Sequence, residues 1–334
     1  MQLYLNKNLL DLISYNSIAM KILIELPSWI GDSVMATPAI ENIIKHFSKC
    51  EITLIGAPSA LEIFSFHPKI LRLIPLNKNY FQLYFLTKSL GDFDLFFSFR
   101  GSIRSKILKF FIKSKSKSKS KSKFQYYKNN YKSRHQVEKY NDFISDALNQ
   151  NFLPGPLVVH NKKFNSNNKK KLLGINPGAS YGSAKRWYPE EFAKTAIKFS
   201  STYDILIFGS IKEIEIANDI EKILTSMGVK NFKNLTGITS ISELVNHISS
   251  LDIFITGDSG PMHIAGSFNV PTVAIFGPTN INETNQWMNK KCINIKKDLN
   301  CQPCMKRTCP LRHHNCMKQI KAEDVFNAVQ LLDF

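Results

Sequence analysis

Long hydrophobic runs are missing from this sequence, as are the two commonest glycine-rich nucleotide signatures. No apolar stretch approaches the ~20 residues of a membrane-spanning helix, and the first residues lack a cleavable signal pattern, so we expect a cytoplasmic protein. No GxGxxG follows a candidate strand, and no GxxxxGKS/T occurs. These absences argue against NAD-linked dehydrogenases and P-loop ATPases.

Acidic residues are scarce relative to basic ones. The 334 residues include 44 Lys and Arg against 26 Asp and Glu, a formal net charge of +18. This excess favours an anionic partner: nucleic acid, phosphorylated lipid headgroups or a membrane face. Six lysines alternate with serine from Lys113 to Lys123. Such a repeat cannot form a packed core, so we expect residues 113–123 to be a disordered loop, with attraction to anionic lipids as the functional alternative.

Cysteine is also limited, with six residues in the chain, and in a cytoplasmic protein these are thiols or metal ligands rather than disulfides. Four lie in the stretch CQPCMKRTCPLRHHNC, at Cys301, Cys304, Cys309 and Cys316. The first spacing suits tetrahedral zinc or an iron-sulfur centre, but the later gaps form no second close pair. We therefore favour partly buried thiols and assign no metal ligand.

The length exceeds the usual size of one core, so two domains are expected. From Met20 the chain predicts strand, loop and helix, and EITLIGAP and FDLFFSFRG are further candidate strands. We assign residues 20–165 to a first Rossmann-like domain and give residues 1–19, an N-terminal extension, no role.

A second series of strands begins after a polar linker. KLLGINPGAS, YDILIFGS, LDIFITGDSG and PTVAIFGPT each end an apolar strand with small or turn-forming residues. Four strand ends facing one way predict a second parallel sheet, in residues 166–320, whose carboxyl edge forms a ligand crevice. Val325, Val329 and Leu332 have helical spacing and predict a C-terminal helix within 321–334.

Two loops at these strand ends are typical of phosphate sites. NPGASYGSAKRWYPEEF and TGDSGPMHIAG both lead into helices, whose free N–H groups attract anions. Ser259 and Gly260 allow close backbone approach, and Pro261 fits a first helical turn. Lys185 and Arg186 follow the first loop and could neutralise a phosphate, the alternative being a solvated basic pair.

Asp32 is the candidate reactive group of the first domain. It lies in LPSWIGDSVMATPAI, in the turn after the first strand. From there its carboxylate would face the ligand of the second domain across a cleft. A carboxylate there suits a general base, provided that burial raises its proton affinity. Alternatively it is the N-cap of a helix that begins near Ser33, and the residues alone do not decide between the two.

Four blocks in this order resemble the lipopolysaccharide heptosyltransferases: ILIELPSWIGDSVMATPAI, INPGASYGSAKRWYPEEFA, TGDSGPMHIAGSFNVPTVAIFGPT and CMKRTCPLRHHNCM. The resemblance covers the chain from Met20 onward, although the Lys-Ser repeat is not part of the family pattern. It implies a GT-B fold, two Rossmann-like domains whose parallel sheets face an interdomain cleft. It also implies inverting transfer of L-glycero-D-manno-heptose from ADP-heptose onto the first heptose of the inner core.

The family pattern also implies roles for individual residues. Asp32 corresponds to the catalytic base and Lys185 to the lysine that stabilises the departing diphosphate. The donor-binding positions are Gly178, Ala179, Ser180, Glu213, Asp258, Ser259, Gly260, Pro261, Met262 and His263. Arg100, Arg104 and Arg134 are candidate acceptor contacts, with solvated surface charge as the alternative.

Asp258 raises a separate question, because a carboxylate repels phosphate. It could accept hydrogen bonds from sugar hydroxyls or hold a divalent cation that bridges to the diphosphate. We favour the hydroxyl role, since no second carboxylate is near in the chain, and expect no required cofactor.

The expected partners are ADP-heptose, a Kdo-heptose-lipid A acceptor and the inner-membrane surface, where the protein would be peripheral; no nucleic acid is expected. Another nucleotide-sugar transferase or an epimerase of the same build is the alternative enzyme. A nucleic-acid-binding protein, suggested by the charge, is a further alternative, but the most specific motifs lie at strand ends.

Overall fold

The computed structural model describes residues 19–76, 79–113, 124–128, 131, 133–162 and 170–332. The predictions for the N-terminal extension, residues 1–19, and for the Lys-Ser repeat, residues 113–123, therefore lie outside the described residues. The exceptions are residue 19, the last of the extension, and residue 113, the first of the repeat. Within the described ranges, no helix is both long and apolar enough to cross a bilayer.

The first sheet has five parallel strands in the order β3-β2-β1-β4-β5. They are β1 (Met20–Glu25), β2 (Cys50–Gly56), β3 (Ile70–Pro75), β4 (Leu95–Ser98) and β5 (Phe124–Tyr126). The central strand β1 is buried on both faces, with Ile22, Leu23 and Ile24 fully inaccessible. That double burial explains why the strand is a continuous apolar run rather than an alternating one.

Helices cover both faces of this sheet. They are α1 (Ile30–Met35), α2 (Thr37–His46), α3 (Pro58–Leu61), α4 (Tyr80–Ser89), α5 (Ile103–Lys113) and α6 (Gln136–Leu148). Helix α6 begins with a capping box formed by His135 and Glu138 and ends at Asn149 in the left-handed conformation. These local signals fix both ends of the helix that runs beside α1 and α2.

The second sheet has six parallel strands in the order β11-β10-β9-β6-β7-β8. They are β6 (Lys171–Asn176), β7 (Tyr203–Ile207), β8 (Phe232–Asn234), β9 (Ile253–Gly257), β10 (Thr272–Ile275) and β11 (Cys292–Ile295). The strand order reverses between β6 and β9, which places a ligand crevice at their carboxyl ends. Two parallel sheets confirm the predicted α/β class.

The second domain carries seven α-helices within its described residues. They are α7 (Pro189–Phe199), α8 (Ile214–Ser226), α9 (Ile241–Ser249), α10 (Gly260–Ser267), α11 (Ile281–Thr284), α12 (Asn315–Lys318) and α13 (Ala322–Gln330). Helix α13 packs on this domain, with Val325 and Val329 buried in its core. The Glu191 carboxylate accepts a hydrogen bond of 2.7 Å from the Ala322 amide and so holds its first turn.

The two domains are in direct contact along the edges where the strands end. One apolar cluster contains Ile24 of the first sheet and Phe254 of the second, together with Leu157 and Val159 of the connecting segment. Polar contacts reinforce it: Lys139 of α6 lies 2.6 Å from Glu283 of α11, and the Trp287 indole donates to the Gly155 carbonyl at 3.0 Å. The carboxyl edges of both sheets therefore meet.

Candidate active site

The site forms where the N-terminal turns of α1 and α10 touch across the domain boundary. A β-carbon on Gly31 would lie 3.0 Å from the His263 ring, and one on Gly260 would lie 3.1 Å from Ile30. Larger side chains at either glycine would push the helices apart. The two glycines thus allow the contact that brings Asp32 to the second domain.

Asp32 is the third residue of α1, and the N-cap position belongs to Trp29. The alternative that Asp32 caps a helix beginning near Ser33 is therefore wrong, because the helix begins one turn earlier. Burial raises the pKa of Asp32 to about 6, and the nearby Asp258 charge acts in the same direction. The Lys185 ammonium and a hydrogen bond from Tyr140 oppose this rise. The result is a carboxylate that is ionised at neutral pH yet able to accept a proton.

Lys185 and Asp258 form a buried ion pair opposite Asp32. Their Nζ and Oδ2 atoms are 2.7 Å apart, and the two side chains are 12% and 4% exposed. The same Oδ2 accepts hydrogen bonds from Thr279 at 2.6 Å and Thr284 at 3.3 Å. Asp258 therefore orients the lysine that faces the cleft. Among the described residues, no three His, Cys, Asp or Glu side chains are grouped so as to hold a metal ion.

Glu213 joins the predicted phosphate loop despite its distance in sequence. Its buried carboxylate accepts a 2.7 Å hydrogen bond from the Ser210 amide. A β-carbon on Gly178 would lie 2.0 Å from the Glu213 carboxyl carbon, so glycine is required there. Ala179 beside it is buried and Ser180 is exposed.

The second donor loop is linked to the first through Asn176. Its amide donates to the Gly178 carbonyl at 3.3 Å, and to the Thr256 and Ser259 hydroxyls at 3.3 and 3.4 Å. Ser259 makes no side-chain capping bond to α10, whose first turn contains Gly260 and Pro261. Pro261 has no N–H and the Met262 amide donates to the Ser259 carbonyl at 3.2 Å, so among the first three residues of α10 the amide left for an anionic ligand is that of Gly260.

Met262 and His263 are buried behind that loop. Met262 packs against Ala274 and Phe276, a structural role. Burial lowers the pKa of His263 to about 4, which keeps the ring neutral at physiological pH. Its Nδ1 has no hydrogen-bond partner in the part of the chain that the structure describes.

Sequence reasoning missed several side chains of the site. Tyr140 of α6 is buried, and its hydroxyl donates to the Asp32 carboxylate. The Tyr181 ring lies 4.9 Å from the Lys185 ammonium. Tyr140 falls in a helical pattern of core residues, so no local signal separated it from ordinary packing residues.

The three candidate acceptor arginines lie in two places. Arg100 is 3.8 Å from the fully buried Glu25 at the end of β1, and the charge of Arg104 acts on the same carboxylate. Burial raises the pKa of Glu25, while these arginines and Ser98 lower it. Arg134 instead pairs with Asp142 and Glu138 of α6. The structure therefore brings together the first two, around Glu25, and not the third.

The cysteine-containing loop packs against the Lys185 loop. The Arg307 carbonyl accepts from the Ala184 amide at 3.0 Å, and Tyr181 donates to the Met305 carbonyl at 2.7 Å. Burial and the neighbouring cysteines raise the pKa of Cys316 to about 11, so this thiol is protonated. The loop thus supports the segment that carries Lys185.

Comparison with known proteins gives one consistent relationship. The sequence model of glycosyltransferase family 9 (heptosyltransferase) matches residues 85–315. Lipooligosaccharide heptosyltransferase 2 of Campylobacter jejuni is 44% identical over 94% of this chain and 98% of that protein. Lipopolysaccharide heptosyltransferase 2 of Escherichia coli is 26% identical over 78% of this chain and 83% of that protein.

Solved structures agree in fold. The E. coli ADP-heptose LPS heptosyltransferase II has a TM-score of 0.74 at 21% identity and covers 93% of this chain and 98% of its own. E. coli heptosyltransferase WaaC, solved with ADP, has a TM-score of 0.73 at 14% identity, with coverage of 93% and 99%. These similarities confirm the expected GT-B arrangement of the two domains.

Proposed function

The chain belongs to glycosyltransferase family 9, the heptosyltransferases, and on that basis we propose that it transfers L-glycero-D-manno-heptose from ADP-heptose onto the first heptose of the lipopolysaccharide inner core. The observation that carries this proposal is the facing arrangement of Asp32 and the Lys185–Asp258 pair across the domain contact. The arrangement sets a proton acceptor against a cation for the leaving group, as a single displacement requires.

In the proposed reaction, Asp32 takes the proton of the acceptor hydroxyl as that oxygen attacks the anomeric carbon. The bond to the ADP oxygen breaks on the opposite face, so the configuration inverts and ADP leaves with its bonding electron pair. Tyr140 donates to Asp32 and holds the carboxylate in place. General-base catalysis of this kind contributes ~10² to 10⁴ in rate.

The leaving diphosphate is stabilised from the second domain. Lys185 supplies the positive charge, and the N-terminus of α10 supplies the Gly260 amide and the positive end of the helix dipole. Asp258 fixes the lysine through Oδ2, and its second oxygen, Oδ1, can accept from a sugar hydroxyl. Glu213, which lies beside Gly178, is proposed to accept hydrogen bonds from the ribose hydroxyls of the nucleoside.

The acceptor is proposed to lie on the first domain. Arg100 and Arg104, gathered around Glu25, offer positive charge for a phosphorylated or carboxylated core sugar. A Kdo-heptose-lipid A acceptor is anchored in a membrane, so the enzyme would work at the inner-membrane surface, on its cytoplasmic side.

The test is transfer from ADP-heptose to a core lipid that ends in the first heptose. Asp32→Asn should lower kcat by about 10² or more because the base is removed without a change in size. Lys185→Gln should lower it by ~10² to 10³ because the leaving group loses its cation. Asp219→Asn, on the exposed surface of α8, is the matched control and should be unchanged.

Two outcomes would contradict the proposal. Wild-type rates in both Asp32→Asn and Lys185→Gln would refute the assignment of the site. Consumption of ADP-heptose at an equal rate without any acceptor would identify an epimerase or hydrolase instead of a transferase.

A further inference from the structure

Helices α4 and α5 of the first domain present an aromatic and basic surface to solvent. Phe85 is 51% exposed, Phe110 69% and Ile103 74%, and Tyr84 is also exposed. The Tyr84 ring lies 5.3 Å from Phe111, which joins the two helices into one patch. Large apolar side chains gathered in this way on a surface mark an interaction site.

Positive charge surrounds these rings. The Lys88 ammonium lies 4.5 Å from the Tyr84 ring, and the exposed Lys106 stands between Ile103 and Phe110 on one face of α5. Neither helix contains an aspartate or glutamate. A protein partner would have to match this patch with acidic residues, whereas an anionic bilayer offers negative headgroups and an apolar interior together.

We infer that α4 and α5 dock the protein on an anionic membrane, with Tyr84, Phe85, Ile103 and Phe110 in the headgroup boundary and Lys88 and Lys106 against phosphates. This inference rests on the proposed function for its biological purpose, which is to bring the enzyme to a membrane-anchored acceptor. The physical argument depends only on the exposed aromatic and basic side chains. Lysine stems cover apolar surface while their ammonium groups remain at the polar level, which suits this mixture of side chains.

The position of the surface relative to the acceptor arginines supports the inference. Arg104 lies in the first turn of α5, and Phe110 follows six residues later on the same helix. At ~1.5 Å per residue this is a rise of about 9 Å, comparable to one or two sugar rings. A lipid anchor held at the patch therefore places its first core sugars beside Arg100 and Arg104.

The experiment is co-sedimentation of the full chain with vesicles of phosphatidylethanolamine and phosphatidylglycerol, and with phosphatidylcholine vesicles as the neutral comparison. The wild type should bind the anionic vesicles and be released by salt. Phe85→Ser with Phe110→Ser should weaken binding about tenfold or more, since two apolar anchors are lost. Each of Lys88→Gln and Lys106→Gln should weaken it about fivefold.

A double variant on the second domain, Met227→Ser with Leu331→Ser, is the matched control. These side chains are 63% and 74% exposed, so their loss removes similar apolar surface elsewhere and should not change vesicle binding. Transfer to a water-soluble, deacylated acceptor should be unaffected in every variant, which shows that each is folded. Transfer to an acceptor embedded in vesicles should fall in the patch variants alone.

Several results would overturn the inference. The inference would be wrong if the phenylalanine variant and the lysine variants all bound anionic vesicles as tightly as the wild type. Failure of the wild type to bind anionic vesicles would also overturn it, as would a dimer in solution that dissociates in the phenylalanine variant, because a second copy would then cover the patch. Absence of transfer to any acceptor would refute the proposed function and leave the vesicle result as a separate finding.

Discussion

Replacing Asp32 by asparagine is expected to abolish transfer and, at neutral pH, to make the protein more stable. Folding raises the pKa of this carboxyl from 3.8 to about 6, chiefly by burial. The folded state thus binds the proton more tightly than the unfolded chain, and ionised Asp32 opposes folding. The difference of about two units, at ~1.4 kcal/mol each, amounts to about 3 kcal/mol.

The pH window follows from the sign of that shift. Below the unfolded pKa of 3.8 both states carry the proton, so no penalty exists. Between pH 3.8 and about 6 the unfolded chain releases the proton while the folded carboxyl keeps it, so stability falls progressively, and the loss is complete once the pH has risen through the folded pKa of about 6. Asparagine resembles the protonated carboxyl at every pH. The gain in the variant should therefore be small near pH 4, grow up to about pH 6 and be complete above pH 7.

The assay is the thermal midpoint of wild type and Asp32→Asn measured from pH 4 to pH 8. An unfolding entropy of ~2.1 cal/mol/K per residue converts about 3 kcal/mol into about 4 °C for a chain of 334 residues. Asp219→Asn removes an exposed charge paired with Lys222 and should show no such pH-dependent gain. An Asp32→Asn variant that is no more stable than wild type at pH 8, or equally stabilised at pH 4, would refute the reasoning.

Three further predictions concern the surroundings of the base and the donor loop. Tyr140→Phe removes a hydrogen bond that lowers the pKa of Asp32, so the acidic limb of kcat/KM should move to higher pH. Asp258→Asn removes a charge that raises the same pKa, so the limb should move to lower pH, and a shift in the same direction for both variants would contradict the assignment. Gly178→Ala places a β-carbon against Glu213 and should weaken ADP binding by about tenfold or more in calorimetry; unchanged binding would show that the loop adapts.

The strand ends and donor loops were predictable because each is encoded by a short contiguous pattern. An apolar run followed by glycine, serine or aspartate marks the end of a buried strand, and parallel topology brings all such ends to one edge. Gly178, Lys185 and Asp258 accordingly meet at the carboxyl edge of the second sheet. The sequence therefore predicted which loops form this side of the site.

The partners of those residues were not predictable, because they are set by distant parts of the chain. The Lys185–Asp258 pair joins positions 73 residues apart, and the sequence left open whether Asp258 serves a sugar hydroxyl or a cation. Tyr140 reaches Asp32 only because α6 packs beside α1. A tyrosine on an apolar helical face has no local mark that distinguishes a ligand of the base from a core residue.

Three features that cost folding stability lie at this site, and they identify it without reference to any sequence motif. Asp32 is held in a place that disfavours its charge, His263 is kept neutral with Nδ1 unpartnered within the described residues, and α10 begins without a side-chain cap. Each feature costs stability where it stands. All three lie on the two helical turns that Gly31 and Gly260 allow to touch. Burial shifts the pKa of both Asp32 and His263 at this one contact, and shifted pKa values of this kind cluster at functional sites, so the contact is suited to binding and proton transfer.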